Sequence, residues 1–191
     1  MSEQDEFEAL FRTTRGTLLA YLTRRAPAAD AADLLAEVYL VAWRRRAELP
    51  AGDERRLWLY GVARRLLAEH RRLSLVRAGA EEETGGAGTP GGSTGSDRRE
   101  ETVRDEAVRR ALASLSDLDR ELVTLTTWED LGPAEAARVL GITAGTARVR
   151  LHRARGRLAR HPALRALLDD PGGGARTAPP TPGAALAPAS R

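Results

Sequence analysis

The chain has 191 residues, 42% of them hydrophobic and 30% charged, with a formal net charge of +3 and no cysteine. That length admits one medium domain or two small ones, and each half can bury only a modest core. The lack of cysteine excludes disulfides and thiolate metal sites, and no apolar run approaches the ~20 residues of a membrane span.

Glu3, Asp5, Glu6 and Glu8 stand where a secretory signal would carry positive charge, so a cytoplasmic protein is expected. Residues 7–25 then read as a first helix, with Phe7, Leu10, Phe11, Leu18, Leu19 and Leu22 on its apolar side. Ala26-Pro27 breaks it, and Asp30 is the expected N-cap of a second helix reaching about residue 48. In that helix Leu34, Val38, Val41 and Ala42 form a core stripe. Leu35, Tyr39 and Trp43 widen the apolar arc to about half the circumference, more than the ~100° stripe of an ordinary surface helix. The excess is either a wider core or a surface for a partner.

A third helix is expected over residues 54–75, with Leu59, Val62, Ala63, Leu66, His70 and Leu73 facing the core. Trp58, Arg65 and Arg72 recur every seven residues on the opposite side, flanked by Arg64 and Arg71. An aromatic ring among arginines suits single-stranded nucleic acid, because bases stack on the ring and phosphates pair with the guanidinium groups.

Residues 79–96 hold almost nothing that a core could use and read as a flexible linker. Within them residues 91–95 (GGSTG) match the G-x-S-x-G pattern of a nucleophile elbow, but that elbow needs a strand before it and a helix after it. Neither is expected around Ser93, and the chain offers no phosphate loop, metal-ligand spacing or nucleophile–base set. The sequence therefore indicates no enzyme, no catalytic residue, no metal and no cofactor.

Helical periodicity resumes at residues 103–115, and Ser116-x-x-Asp119 gives a capping-box-like start to a helix ending near Trp128. Gly132-Pro133 opens a short helix, since proline at the first helical position loses no needed N–H. Gly141 turns the chain, and Thr143 caps a last helix to about residue 160. Short helix, glycine turn, apolar Ile142 and capped second helix follow helix-turn-helix grammar. After Pro171 the composition is that of a disordered tail.

In the last helix Ala147, Leu151, Ala154 and Leu158 form a narrow stripe. Gly145, Val149, His152 and Gly156 lie opposite, between Arg148 and Arg155 on one side and Arg153 on the other. Residues 144–160 carry six arginines and no acid, so the i,i+4 pairs of an ordinary solvated helix cannot form. Arg148 and Arg153 can reach guanine edges, whereas Thr146, Arg150 and Arg157 better suit phosphates. Residues 44–77 form a second basic block, and the acidic stretch 78–106 separates the two, which points to two polyanion contacts on one chain.

Residues 128–155 (WEDLGPAEAARVLGITAGTARVRLHRAR) resemble region 4 of extracytoplasmic-function sigma factors, of the sigma-70 family, in which the matching helix reads the −35 promoter element. Residues 30–43 (DAADLLAEVYLVAW) resemble the region 2 helix that docks on the clamp of the largest polymerase subunit. Residues 58–72 (WLYGVARRLLAEHRR) resemble the part that melts and holds the −10 element. Two positions depart from the family's pattern: Ala36 stands where glutamine is usual, and Arg65 where asparagine is common.

The resemblance implies an all-α protein of two small helical domains: region 2 over residues 5–77, a flexible acidic linker over 78–100, region 4 over 101–168 and a tail over 169–191. It further implies binding to core RNA polymerase through the clamp and the β flap, to promoter DNA as duplex and melted strand, and to an anti-sigma factor. The implied sites are Thr146, Arg148, Val149, Arg150, His152, Arg153, Arg155 and Arg157 for the −35 element, and Trp58, Arg64, Arg65, Arg71 and Arg72 for the −10 element. Asp33, Leu35, Glu37, Tyr39 and Trp43 are implied for the polymerase. The competing assignment is a stand-alone helix-turn-helix regulator with an unrelated helical sensor domain.

Overall fold

The computed structural model describes residues 3–82 and 96–169. They form α1 (Glu3–Thr23), α2 (Ala28–Arg44), a 3-10 turn (Arg46–Glu48), α3 (Glu54–Glu82), α4 (Ser96–Ala113), α5 (Asp117–Trp128), α6 (Pro133–Leu140), α7 (Ala144–Ala159) and α8 (Pro162–Asp169), with no strand among the described residues.

In the first half α1, α2 and α3 pack on one another around Leu18, Tyr21, Leu22, Leu34, Val38 and Leu59. Side chains of this size, fully buried, contribute about 1.5–3 kcal/mol each. The first turn of α2 departs from expectation. Pro27, not Asp30, occupies the N-cap, because the fixed φ of proline already suits the helix entrance. Asp30 lies within that turn and meets His70 Nε2 at 3.2 Å, which ties α2 to α3.

The buried face of α3 is wider than the expected stripe. Leu57, Tyr60 and Leu67 are buried as well, while Leu73 is exposed. The cause is the number of neighbours: α3 packs on α1, α2 and α6, and Tyr60 meets Tyr21 of α1 edge-on at 5.2 Å. The same cluster of buried side chains continues from α1–α3 into α5, α6 and α7. Ion pairs border it, Arg138 with Glu54 and Arg56 with Glu135 at 3.9 Å.

The linker and tail expected from composition lie mostly outside the described residues. At their edges helices reach further than expected, α3 to Glu82 and α4 from Ser96. Helix α8 was not foreseen; it packs on α4 and α7.

The second half is fixed by local signals that the sequence makes explicit. Ser116 Oγ accepts the Asp119 N–H at 3.2 Å. The Arg120 guanidinium donates to the Leu112 and Leu115 carbonyls, at 2.9 and 3.1 Å, and so closes the end of α4. Glu135 accepts the Gly132 N–H at 2.7 Å, and Gly141 adopts φ of 69°, a conformation that glycine alone reaches without steric cost. Thr143 Oγ1 accepts the Thr146 N–H at 3.1 Å, capping α7. Thr143→Ala is expected to lower stability by about 1 kcal/mol; urea denaturation that leaves the midpoint unchanged would contradict the cap.

Candidate nucleic-acid interface

Helix α7 is held against α5 and α6 by Ala147, Leu151 and Ala154, all buried, with Leu158 partly so. The stripe is narrow because two of its members are alanine, and the rest of the circumference is left outward. Thr146, Arg148, Val149, His152 and Arg153 are exposed, Val149 to 51%. A small side chain or none at Gly145 and Val149 leaves a cleft of about 490 Å3, lined by Thr146, Arg150, Arg153 and Arg157 of α7 together with Asp119 of α5.

Asp119 changes the electrostatics of that cleft. Its carboxylate Oδ1 accepts from Arg150 Nη1 at 2.9 Å, and Oδ2 lies 3.8 Å from Arg157 Nη1. Burial alone would raise its proton affinity, but hydrogen bonds from Arg150 and Ser116 and the nearby charges outweigh it, so the carboxyl titrates below its ordinary range. Arg150 and Arg157, expected as phosphate anchors, are thus already partnered by an acid. Arg155 sits apart from them. It lines an apolar groove of about 280 Å3 with Val108, Leu112, Trp128, Leu158 and Leu164, on the flank of α7 away from the cleft.

The face of α3 is divided by its neighbours. Trp58 is half-buried and borders, with Arg64 and Arg65, a cleft of about 370 Å3 whose far wall is Val139 and Leu140 of α6. Arg71 opens instead on a crevice between the halves, beside Arg24 and Arg109. Arg72 is exposed and donates to Glu69, Nε to Oε2, at 3.0 Å. The expected ladder of Trp58, Arg65 and Arg72 therefore has its stacking ring and one arginine at the α6 end, and its last arginine already on a carboxylate.

On α2 the expected polymerase surface needs a correction. Tyr39 belongs to the core: it is 7% exposed, its hydroxyl lies 2.7 Å from Thr14 Oγ1, and Phe11 meets its ring edge-on at 4.7 Å. Helix α1 covers that side of α2, so the wide apolar arc is partly internal. Leu35 is half-buried. The outward strip runs through Asp33, Glu37 and Leu40, with Trp43 at its edge against Phe7. Leu40, 45% exposed, was missed; its i,i+3 spacing from Glu37 and i,i+7 spacing from Asp33 was the available signal.

The halves are joined at α1 and α5. Arg25 Nε meets Glu121 Oε2 at 3.2 Å, Nη1 meets Glu129 Oε1 at 3.3 Å, and Nη2 donates to Thr124 Oγ1 at 2.7 Å. Tyr21 donates to Glu121 at 2.7 Å, and its phenol is pushed up by burial and by the charge of Glu121. Among the described residues no three His, Cys, Asp or Glu side chains gather in a metal-holding group, and no helix is long and apolar enough to cross a membrane.

The family model "Sigma-70, region 4" matches residues 105–158, which run from within α4 through α5 and α6 to nearly the end of α7. The ECF RNA polymerase sigma factor SigL of Mycobacterium tuberculosis is 32% identical over 148 residues, covering 75% of this chain and 81% of that protein. The chain belongs to the extracytoplasmic-function sigma factors. A second member of the sigma factors, the RNA polymerase sigma factor YlaC of Bacillus subtilis, is 28% identical over 160 residues, covering 81% of this chain and 91% of its own length. In fold this sigma factor is similar to RpoE from Bartonella quintana, solved in complex with the anti-sigma factor NepR: the TM-score is 0.61 at 22% identity, over 84% of this chain and 97% of that one. CnrH, solved with the cytosolic domain of CnrY, gives a TM-score of 0.56 at 22% identity over 87% of this chain and 89% of its own.

Proposed function

We propose that this sigma factor binds core RNA polymerase and directs it to promoters, with α7 reading the −35 element in the duplex and the Trp58 end of α3 holding the melted −10 strand. The observation that carries the reading is α7 itself, a helix whose core contact is narrow and whose outward face offers arginines and small side chains to a groove. Such a helix supplies base contacts from its exposed face and backbone contacts from its flanks. The role is non-catalytic and set in the bacterial cytoplasm.

Residues 5–77 serve as region 2 and residues 101–168 as region 4, joined by 78–100. RpoE was solved on an anti-sigma factor, and an anti-sigma factor is the proposed regulator here. Transcription reconstituted with purified core polymerase, followed by mapping of start sites, tests the proposal. Start sites that appear only when the chain is added support it. Tight duplex binding without polymerase, and no transcription with it, would favour a stand-alone regulator.

The outward strip of α2 is the proposed clamp contact. Charge reversal at Asp33 or Glu37, or Leu40→Ala, is expected to weaken co-purification with core polymerase by about tenfold, the loss of roughly 1.4 kcal/mol. Helical content should not change, because none of these side chains is buried. Variants that unfold would instead place these residues in the fold.

A further inference from the structure

Asp119 lies almost buried at the start of α5, within the cleft that α7 opens toward nucleic acid. A carboxylate beside a polyanion repels it, so its place on a DNA-facing surface weakens attraction rather than adding to it. Capping accounts for only part of it: Ser116 Oγ accepts the Asp119 backbone N–H, which any residue but proline supplies, and the Ser116 side chain also supports the carboxylate. Beyond that, the carboxylate holds Arg150 at 2.9 Å and draws Arg157 to 3.8 Å. Those are two of the three arginines lining the cleft; the third, Arg153, is exposed beside them.

We propose that Asp119 is a specificity-determining residue: it withholds Arg150 and Arg157 from sequence-independent phosphate contacts, and so lets the base contacts of α7 decide where the protein binds. The proposal rests on the reading of α7 as the helix that enters the groove. Phosphate contacts give every duplex the same attraction, and each one steepens the salt dependence of binding by about 0.9 in log–log slope. Selectivity is the ratio of specific to non-specific binding. An acid that occupies two arginines lowers the denominator of that ratio. It also fixes the direction of a side chain that otherwise has several rotatable bonds, so Arg150 does not swing out to a phosphate.

The test uses the full chain bound to core polymerase and a pool of duplexes randomised over about one helical turn at the −35 position. Enrichment of preferred sequences is measured for the wild type, Asp119→Asn and Asp119→Glu. Binding of the full chain to the unselected pool is followed over a salt series, and thermal melting checks the fold. Asp119→Asn is expected to bind the unselected pool about threefold tighter at low salt, with a slope steeper by about one to two, and to lose about threefold in enrichment. Asp119→Glu keeps the charge and is expected to stay near wild type. Equal weakening of selected and unselected duplexes in Asp119→Asn, or no change in either, overturns the proposal. If the wild-type holoenzyme enriches no sequence at all, the DNA-reading role of α7 fails and the role of Asp119 with it. If it enriches one and Asp119→Asn does so equally, the role of Asp119 fails alone.

Discussion

Arg25→Ala will cost about 3–5 kcal/mol of stability at neutral pH, the usual penalty for removing one partner of a buried ion pair. The Arg25 side chain is 7% exposed and the Glu129 side chain 1%. One guanidinium serves Glu121, Glu129 and Thr124, donates to the Tyr21 carbonyl at 3.1 Å and lies 3.8 Å from the centroid of the Tyr21 ring. Alanine removes the shared cation of two carboxylates and leaves an empty volume beside the Tyr21 ring, although Glu121 keeps the Tyr21 hydroxyl as a donor. Arg24, which reaches Glu129 at 3.2 Å from a more exposed position, offsets only part of the loss.

The same variant has a pH signature. Burial pushes the Glu129 carboxyl above its ordinary range, and the charges of Arg24 and Arg25 hold it back only partly. A carboxyl raised in the folded state favours folding below its unfolded value and opposes folding as pH climbs through the folded one. Without Arg25 the folded value rises further. The deficit of Arg25→Ala should therefore be largest at pH 7 and shrink as pH falls toward the ordinary carboxylate range. Urea denaturation of the full chain at a series of pH values measures this. A deficit that stays constant, or grows on acidification, would mean that Glu129 is solvated once its partner is gone.

That network also marks the boundary of what the sequence could disclose. The helix-turn-helix was legible because its signals act within a few residues: proline at the first position of α6, glycine at positive φ, and threonine three residues before the N–H that it caps. The core stripe of α7 was legible for the same reason, since periodicity 3.6 is a local property. On α2 periodicity leaves a wider core and a partner surface both open for Tyr39, because it shows how wide an apolar arc is and not how many neighbours share it; α1 claims that side. The surplus on α3 has the same kind of origin: Tyr60 meets Tyr21 of α1 edge-on at 5.2 Å, and Leu57 lies on the side that faces α6. Nothing near Arg25 announces Glu129, and nothing near Arg150 announces Asp119, which the local pattern presents only as a capping position. Pairings that span such distances are set by the packing of whole helices, so the arginines of α7 could be counted from the sequence but not sorted into those held by an acid and those facing outward.

The sorting decides the expected behaviour of Arg148 and Arg153. Both are exposed, and they border opposite sides of the face formed by Gly145, Val149, His152 and Gly156. In the proposed docking a guanidinium set there meets the groove floor, where guanine presents O6 and N7 to a bidentate donor, and losing such a contact costs about 1–3 kcal/mol, roughly 5- to 150-fold. Alanine at either position will therefore relax discrimination among −35 variants by a factor in that range. Transcription from promoters with a strong −10 element will persist, because the α3 face is untouched. Arg157→Ala sets the contrast: as a flank residue it can contribute only to the backbone, so its loss should weaken all promoters alike and change the salt slope by about one or less, less to the extent that Asp119 already occupies it. The measurement is transcription by reconstituted holoenzyme over a panel of −35 mutants at several salt concentrations. Equal losses on every −35 variant for Arg148→Ala and Arg153→Ala, with a changed salt slope, would make these arginines anchors, and base reading would then have to come from Val149 and His152, the remaining exposed side chains of that face.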